Sequence, residues 1–206
     1  MVLRGDLAEL KGPGGLEATF VRTAKTRVTA TGGKVEANEG LTVIAKGSLA
    51  DLMDRARRIE PNDPVLMTMT LGHQYGVGEV MHYLEILSQF PRFRLIAFLK
   101  ASGKFRGCTG PSELAALMRN GSLGVSFLAA IAGDSEGEVF RYPGILQKVV
   151  PSTATNAEAL AAMTDHNLGA IAVVDDQHLL RGIVEREQLV SKLVLSLASA
   201  SQVSSG

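Results

Sequence analysis

The sequence predicts an α/β (α+β) fold made of two pseudo-symmetric β-α-β-β-α repeats, preceded by a small β-rich arm and a helix. Three observations predict it. Short apolar strand patterns and amphipathic helical spacings follow one another in the same order twice between Val65 and Leu197. FLKASGKFRG (98–107) aligns on VVDDQHLLRG (173–182) without a gap, each running from two apolar residues through a polar turn to Arg-Gly. EPNDP (60–64) interrupts the chain just before the first repeat, because the residue ahead of a proline is pushed away from helical geometry.

The arm comes first. Residues 1–47 are rich in Gly, Thr and Lys, and KGPGG (11–15) and TGG (31–33) mark turns. LEATFVRT (16–23) places Leu16, Ala18 and Phe20 on one face, the alternation of a half-buried strand. TRVTA (26–30) and LTVIA (41–45) are further short strands by composition. Residues 48–59 read as a helix: Ser48 caps it, Asp51 sits in its first turn, and Leu49, Leu52, Met53, Ala56 and Ile59 form a stripe.

In the first repeat VLMTMT (65–70) is a strand and VGEVMHYLEILSQF (77–90) a helix ended by Pro91. RLIAFL (94–99) and FRGCT (105–109) form a hairpin across KASGK, and Pro111 opens the helix PSELAALM at a position where its missing N–H costs nothing. In the second, ILQKVV (145–150) is a strand, and Thr155 or Asn156 caps the helix AEALAAMTDH (157–166). AIAVV (170–174) and LLRGIV (179–184) form the hairpin, and EREQLVSKLVLSL (185–197) closes the unit with Leu189, Leu193 and Leu197 four apart. Glu79 to Leu99 spans four residues more than Glu158 to Val174, which predicts a helix longer by one turn in the first copy. The expected division is arm and helix over 1–60, repeats over 61–125 and 126–200, and a flexible tail over 201–206.

Composition narrows the function. The 206 residues carry 21 Lys+Arg against 21 Asp+Glu, so the net charge is zero and the footprint of a nucleic-acid grip is absent. Arg55, Arg57 and Arg58 lie among Asp51, Asp54 and Glu60 and read as a solvated helix face. One cysteine forms no internal disulfide, which fits a reducing, cytoplasmic setting. The most apolar stretch, LGVSFLAAIAG (123–133), is about half of the ~20 residues a membrane span needs. His73, His82, His166 and His178 lack metal-ligand spacing, Asp175-Asp176 suits a polar turn, and Cys108 suits a buried strand. The sequence shows no catalytic constellation, so an enzyme is not expected.

The second copy, AEALAAMTDHNLGAIAVVDDQHLLRGIVEREQLVSKLV (157–194), resembles the CBS domain, a family that occurs in tandem pairs (Bateman modules). The first copy, EVMHYLEILSQFPRFRLIAFLKASGKFRGCTGPSELAALM (79–118), is similar but weaker. The resemblance implies a non-catalytic regulatory module with two related clefts between the repeats. It also implies adenosine-type ligands such as AMP, ADP, ATP or S-adenosylmethionine, homodimerisation through the repeats, and an effector domain or partner protein that the sequence does not identify.

The family's nucleotide motif is Gly, an apolar residue, any residue, Thr or Ser, two residues, then Asp or Asn. The carboxylate accepts from ribose hydroxyls, and the hydroxyl and helix start meet phosphate. In the second copy the window runs from Gly182 to Gln188, with Val184 before Glu185 in the hydroxyl position and Gln188 in the carboxylate position. In the first it runs from Gly107 to Glu113, with Gly110 in the hydroxyl position, Glu113 keeping a carboxylate, and Thr109 and Ser112 supplying hydroxyls. Arg94 and Arg106 would neutralise phosphate if they face the cleft, and Ala172 completes the candidate set. Both copies depart from the motif. A structural dimerisation or scaffolding pair with degenerate clefts, as the soluble part of a larger or membrane-attached protein, is therefore weighed beside a nucleotide sensor.

Overall fold

The computed structural model describes residues 64–192 and 194, residues 35 and 37, and the backbone of strands β1 (Ala8–Gly12), β2 (Leu16–Phe20) and β3 (Leu41–Ile44). The strand expected at 26–30, the helix at 48–59 and the tail at 201–206 lie outside the described residues. β1 and β2 pair antiparallel, with Gly12 opposite Leu16.

The first repeat contains β4 (Val65–Thr70), α1 (Val77–Leu87), β5 (Phe93–Leu99), β6 (Phe105–Thr109) and α2 (Pro111–Arg119). Two helices follow, α3 (Gly121–Ala132) and the short α4 (Glu136–Val139). The second repeat contains β7 (Val149–Pro151), α5 (Asn156–Asp165), β8 (Ala170–Val174), β9 (Leu180–Glu185) and a closing helix, α6, over 186–192. The sheets run β3-β4-β5-β6 and β7-β8-β9. In each repeat the first strand is parallel to the second and the third returns antiparallel.

The two hairpins share one register. Phe98 faces Gly107 and Val173 faces Gly182, then both ladders slip, so that Leu99 faces Phe105 and Val174 faces Leu180. The skipped residues are Arg106 and Arg181, equivalent positions in the gapless alignment. A bulge conserved between copies at one arginine re-aims that side chain in each. Both turns also need one left-handed residue: Gly103 at φ 81° in the first, His178 at φ 64° in the second.

The repeats meet about a local two-fold. Lys104 and Leu179, equivalent residues, bridge each other antiparallel, and the Phe105 N–H donates to His178 O at 2.9 Å. One apolar cluster between the sheets contains the equivalent couples Ala97 and Ala172, Leu99 and Val174, Phe105 and Leu180, Cys108 and Ile183. Strand side chains alternate, so the neighbouring residues face the helices. Ile96 and Phe98 join a core with α1, α2 and α3, while Ile171 and Val173 join one with Met163 of α5 and Leu189 of α6. Burial on both faces is why AIAVV is continuously apolar. The chain before Val65 joins both halves: β3 pairs with β4, and the Val35 N–H donates to Ala154 O at 2.7 Å.

Two expectations change. The four extra residues of the first copy are not a helical turn. α1 has 11 residues and α5 has 10, whereas β5 has 7 and β8 has 5, and the turn before the strand is 88–92 rather than 166–169. The insertion lengthens the hairpin strand because β5 runs beside the six-residue β4, while β8 runs beside the three-residue β7. The strand expected at 145–150 divides: Leu146 bridges Cys108 at the edge of the first sheet, and only Val149–Pro151 joins the second. Helix α3 occupies the apolar stretch considered as a membrane span, meeting α2 at a 115° bend. Of the two capping candidates Thr155 fills the role, accepting from the Glu158 N–H at 3.2 Å while Glu158 accepts from the Thr155 N–H at 2.7 Å.

Candidate ligand clefts at the ends of β6 and β9

The β6–α2 junction holds Thr109, Gly110, Ser112 and Glu113 together, with Ser112 and Glu113 exposed at the start of α2. None of the approach to Gly107–Thr109 is open space. The buried Thr109 hydroxyl donates to Gly144 O at 2.9 Å. The Glu113 side chain lies over Gly110 and against Gly144, where an added Cβ would come within 2.9 Å of its Cβ and Cγ. At Gly107 an added Cβ would meet the Phe140 ring at 2.6 Å and Leu146 O at 2.9 Å. Cys108 exchanges two backbone hydrogen bonds with Leu146, at 2.7 and 2.8 Å. Burial alone pushes the Cys108 thiol up to about 12, which leaves it unreactive in this closed form.

The covering chain is residues 133–146, and it is tied down by charge. Lys100 Nζ donates to Asp134 at 2.7 Å and lies 2.6 Å from Glu136, and Arg106 Nε donates to Glu136 at 2.8 Å. Hydrogen bonds from Arg106 and then Lys100 hold the Glu136 carboxyl below the ordinary carboxylate range, and those to Asp134 and then Glu136 raise Lys100. Arg106, considered for a phosphate, is therefore committed to Glu136.

The β9–α6 junction is built differently. Helix α6 begins at 186, so Glu185 is the last residue of β9 rather than the first of the helix. Its side chain is only 7% exposed and is met by Arg92 from the first repeat, whose Nε donates to Oε2 at 3.0 Å while Nη2 makes a second, closer contact. Arg94, two residues on, lies 3.7 Å from Glu187. The structure thus groups Arg94 with Glu185 and Glu187, not with Thr109 and Glu113. Gln188 sits half-buried in the first turn of α6. Val184 and Ala172 face two different cores, Val184 towards α5 and Ala172 between the sheets, and both are fully covered.

The sequence reading passed over Arg92, Phe140 and Gly144. Arg92 had a signal in the pair FPRFR, where two arginines share a strand face beside Glu185 and Glu187 two apart. Phe140 and Gly144 had none, because their role depends on how residues 133–146 fold back. Among the described residues no group of three or more His, Cys, Asp or Glu could hold a metal ion.

A family model of the CBS domain matches residues 147–195, which run from the chain before β7 into α6. The first repeat has the same strand order, the same bulged hairpin register, and a two-fold contact with it. Residues 147–195 thus match a CBS domain, and the first repeat shares the strand order and hairpin register of that unit. Among solved structures the chain is similar to the cytosolic domain of the Mg2+ channel MgtE in complex with ATP, at 17% identity over 69% of this chain and 53% of that one, with a TM-score of 0.41. It is also similar to a CBS domain pair/ACT domain protein from Thermotoga maritima, at 18% identity over 69% and 97%, with a TM-score of 0.42. A third is a CBS-domain protein from Agrobacterium tumefaciens, at 15% identity over 69% and 90%, with a TM-score of 0.41. The chain thus spans about half of the MgtE domain it matches, 53%. No curated protein matches it.

Proposed function

We propose that this CBS pair is a non-catalytic regulatory module that takes an adenosine-type ligand (AMP, ADP, ATP or S-adenosylmethionine) at the β6–α2 junction. One observation carries the reading: Thr109, Gly110, Ser112 and Glu113 are gathered at the start of a helix, with the Glu113 carboxylate exposed. Glu113 would accept from ribose hydroxyls, and the N–H groups of the first turn of α2 would face phosphate. Binding there would compete with Gly144 for Thr109 and would shift the pair between a closed and a ligand-bound arrangement, by its differential affinity for the two. The reading goes with a cytoplasmic setting and a homodimer formed through the repeats. It divides the chain into arm, two repeats and tail at 60, 125 and 200. A thermal-shift series with the four ligands tests it: at least one raises the melting temperature and Glu113→Ala removes the rise, whereas no shift at millimolar ligand overturns it.

A second reading, a scaffolding pair with degenerate clefts, is favoured by the Arg92–Glu185 pair that occupies the β9–α6 junction. It expects a ligand-free dimer at micromolar concentration by light scattering. A monomer would count against it.

A further inference from the structure

The segment between α3 and β7 is held on the first repeat by two unlike kinds of contact. Along its length Val139 and Ile145 are buried in the first core, Tyr142 meets Phe127 edge-on with ring centres 5.1 Å apart, and Phe140 fills the space that Gly107 leaves. At its start the contacts are ionic and partly exposed: Asp134 and Glu136 face Lys100 at the hairpin turn and Arg106 at the bulge. Asp134 holds a left-handed backbone, φ 53°, at the turn from which Asp134 and Glu136 both reach Lys100 and Glu136 also reaches Arg106. Beneath the segment lie Gly107, Cys108 and Thr109, each in direct contact with it through Phe140, Leu146 and Gly144.

We propose that residues 133–146 form an ionically latched strap that opens as a local unit and uncovers the β6–α2 junction when Glu136 leaves Lys100 and Arg106. The arrangement has the features such a unit requires. Among the described residues its ion pairs are at one end, its backbone makes no ladder beyond the single Cys108–Leu146 bridge, and the strands beneath keep their own partners when it lifts. Partly exposed ion pairs are weak individually and screened by salt, so they set how often the strap opens rather than whether the domain folds. The bulge that distinguishes both hairpins gains a purpose in the first: it aims Arg106 at the strap, whereas its equivalent Arg181 closes onto Asp175 within its own hairpin. The inference rests on the proposed function only for what would enter the uncovered junction.

The Cys108 amide, which donates to Leu146 O at 2.7 Å, reports the opening without any ligand. The experiment is the hydrogen-exchange rate of the Cys108 amide in the intact chain, as a function of dilute urea. Wild type and Glu136→Gln are compared, with Arg106→Gln as a second variant. The strap predicts a rate about 3–10-fold faster in both variants, rising with urea less steeply than global unfolding because only the strap and the surface beneath it are uncovered. A rate unchanged in both variants overturns it. So does a rate that rises with urea as steeply as global unfolding does, because Cys108 would then be reached only when the whole domain opens. The same variants are titrated with AMP and ATP. Faster exchange without nucleotide binding supports the strap and removes the adenosine reading, whereas binding without faster exchange keeps that reading and overturns the strap.

Discussion

The β6–α2 and β9–α6 junctions occupy equivalent places in a duplicated backbone, yet the protein closes them with different materials. At the first, a mobile-looking sequence rich in Gly, Ser and acidic residues is folded back so that carbon fills the space beside Gly107 and a main-chain oxygen takes the Thr109 hydroxyl. At the second, a single arginine reaches across from the other repeat to a buried carboxylate. The duplicated hairpins keep their register, bulge and turn because the backbone and the sheet-to-sheet core demand them. The polar residues at the strand ends answer to no such demand and have diverged. A two-fold fold therefore does not imply two equivalent sites.

The comparison is broken most directly at the second junction. Arg92→Ala leaves the Glu185 carboxylate buried without its cation and is expected to cost about 3 kcal/mol in urea unfolding. Replacing both partners with apolar residues, Arg92→Met with Glu185→Leu, should recover most of that loss. A single-variant cost under about 1 kcal/mol would mean that water already serves Glu185. At the first junction Gly107→Ala forces a methyl into the Phe140 ring and is expected to cost about 1–3 kcal/mol by the same measurement.

The latch gives a smaller, pH-dependent effect. Glu136 has a depressed carboxyl pKa, so its contribution is present in full above the ordinary carboxylate pKa and is lost as the pH falls through the lower, folded value. Glu136→Gln is expected to lower stability by about 1 kcal/mol at neutral pH. The difference from wild type should vanish well below pH ~4, as followed by melting temperature. A difference that grows on acidification would contradict the latch. The smallest effect separates the two turns. His178→Gly removes a left-handed side chain at the position where the first hairpin already has Gly103, and is expected to raise stability by about 0.5–1 kcal/mol.

Much of the fold was legible because its signals are local. Short apolar runs located VLMTMT, FRGCT and AIAVV, and the gapless alignment of 98–107 on 173–182 anticipated two equivalent hairpins. The candidate site was legible only as a stretch of chain. Thr109 and Glu113 are brought together as expected, because a strand end and a helix start adjoin in sequence. What closes them is contributed from 30 residues or more away, by Gly144 to Thr109 and by Arg92 to Glu185, and no short-range pattern encodes such a pairing. Arg106 illustrates the limit: its equivalence to Arg181 was visible in the alignment, but whether it met phosphate or Glu136 depended on the fold of α3 and α4.

The most direct test of the asymmetry is a calorimetric titration of AMP, ADP, ATP and S-adenosylmethionine into wild type, Glu113→Ala and Gln188→Ala. Binding by wild type that Glu113→Ala removes and Gln188→Ala leaves intact is the predicted result. Binding removed by Gln188→Ala and kept by Glu113→Ala would contradict it, because the ligand would then occupy the junction that Arg92 and Glu185 close.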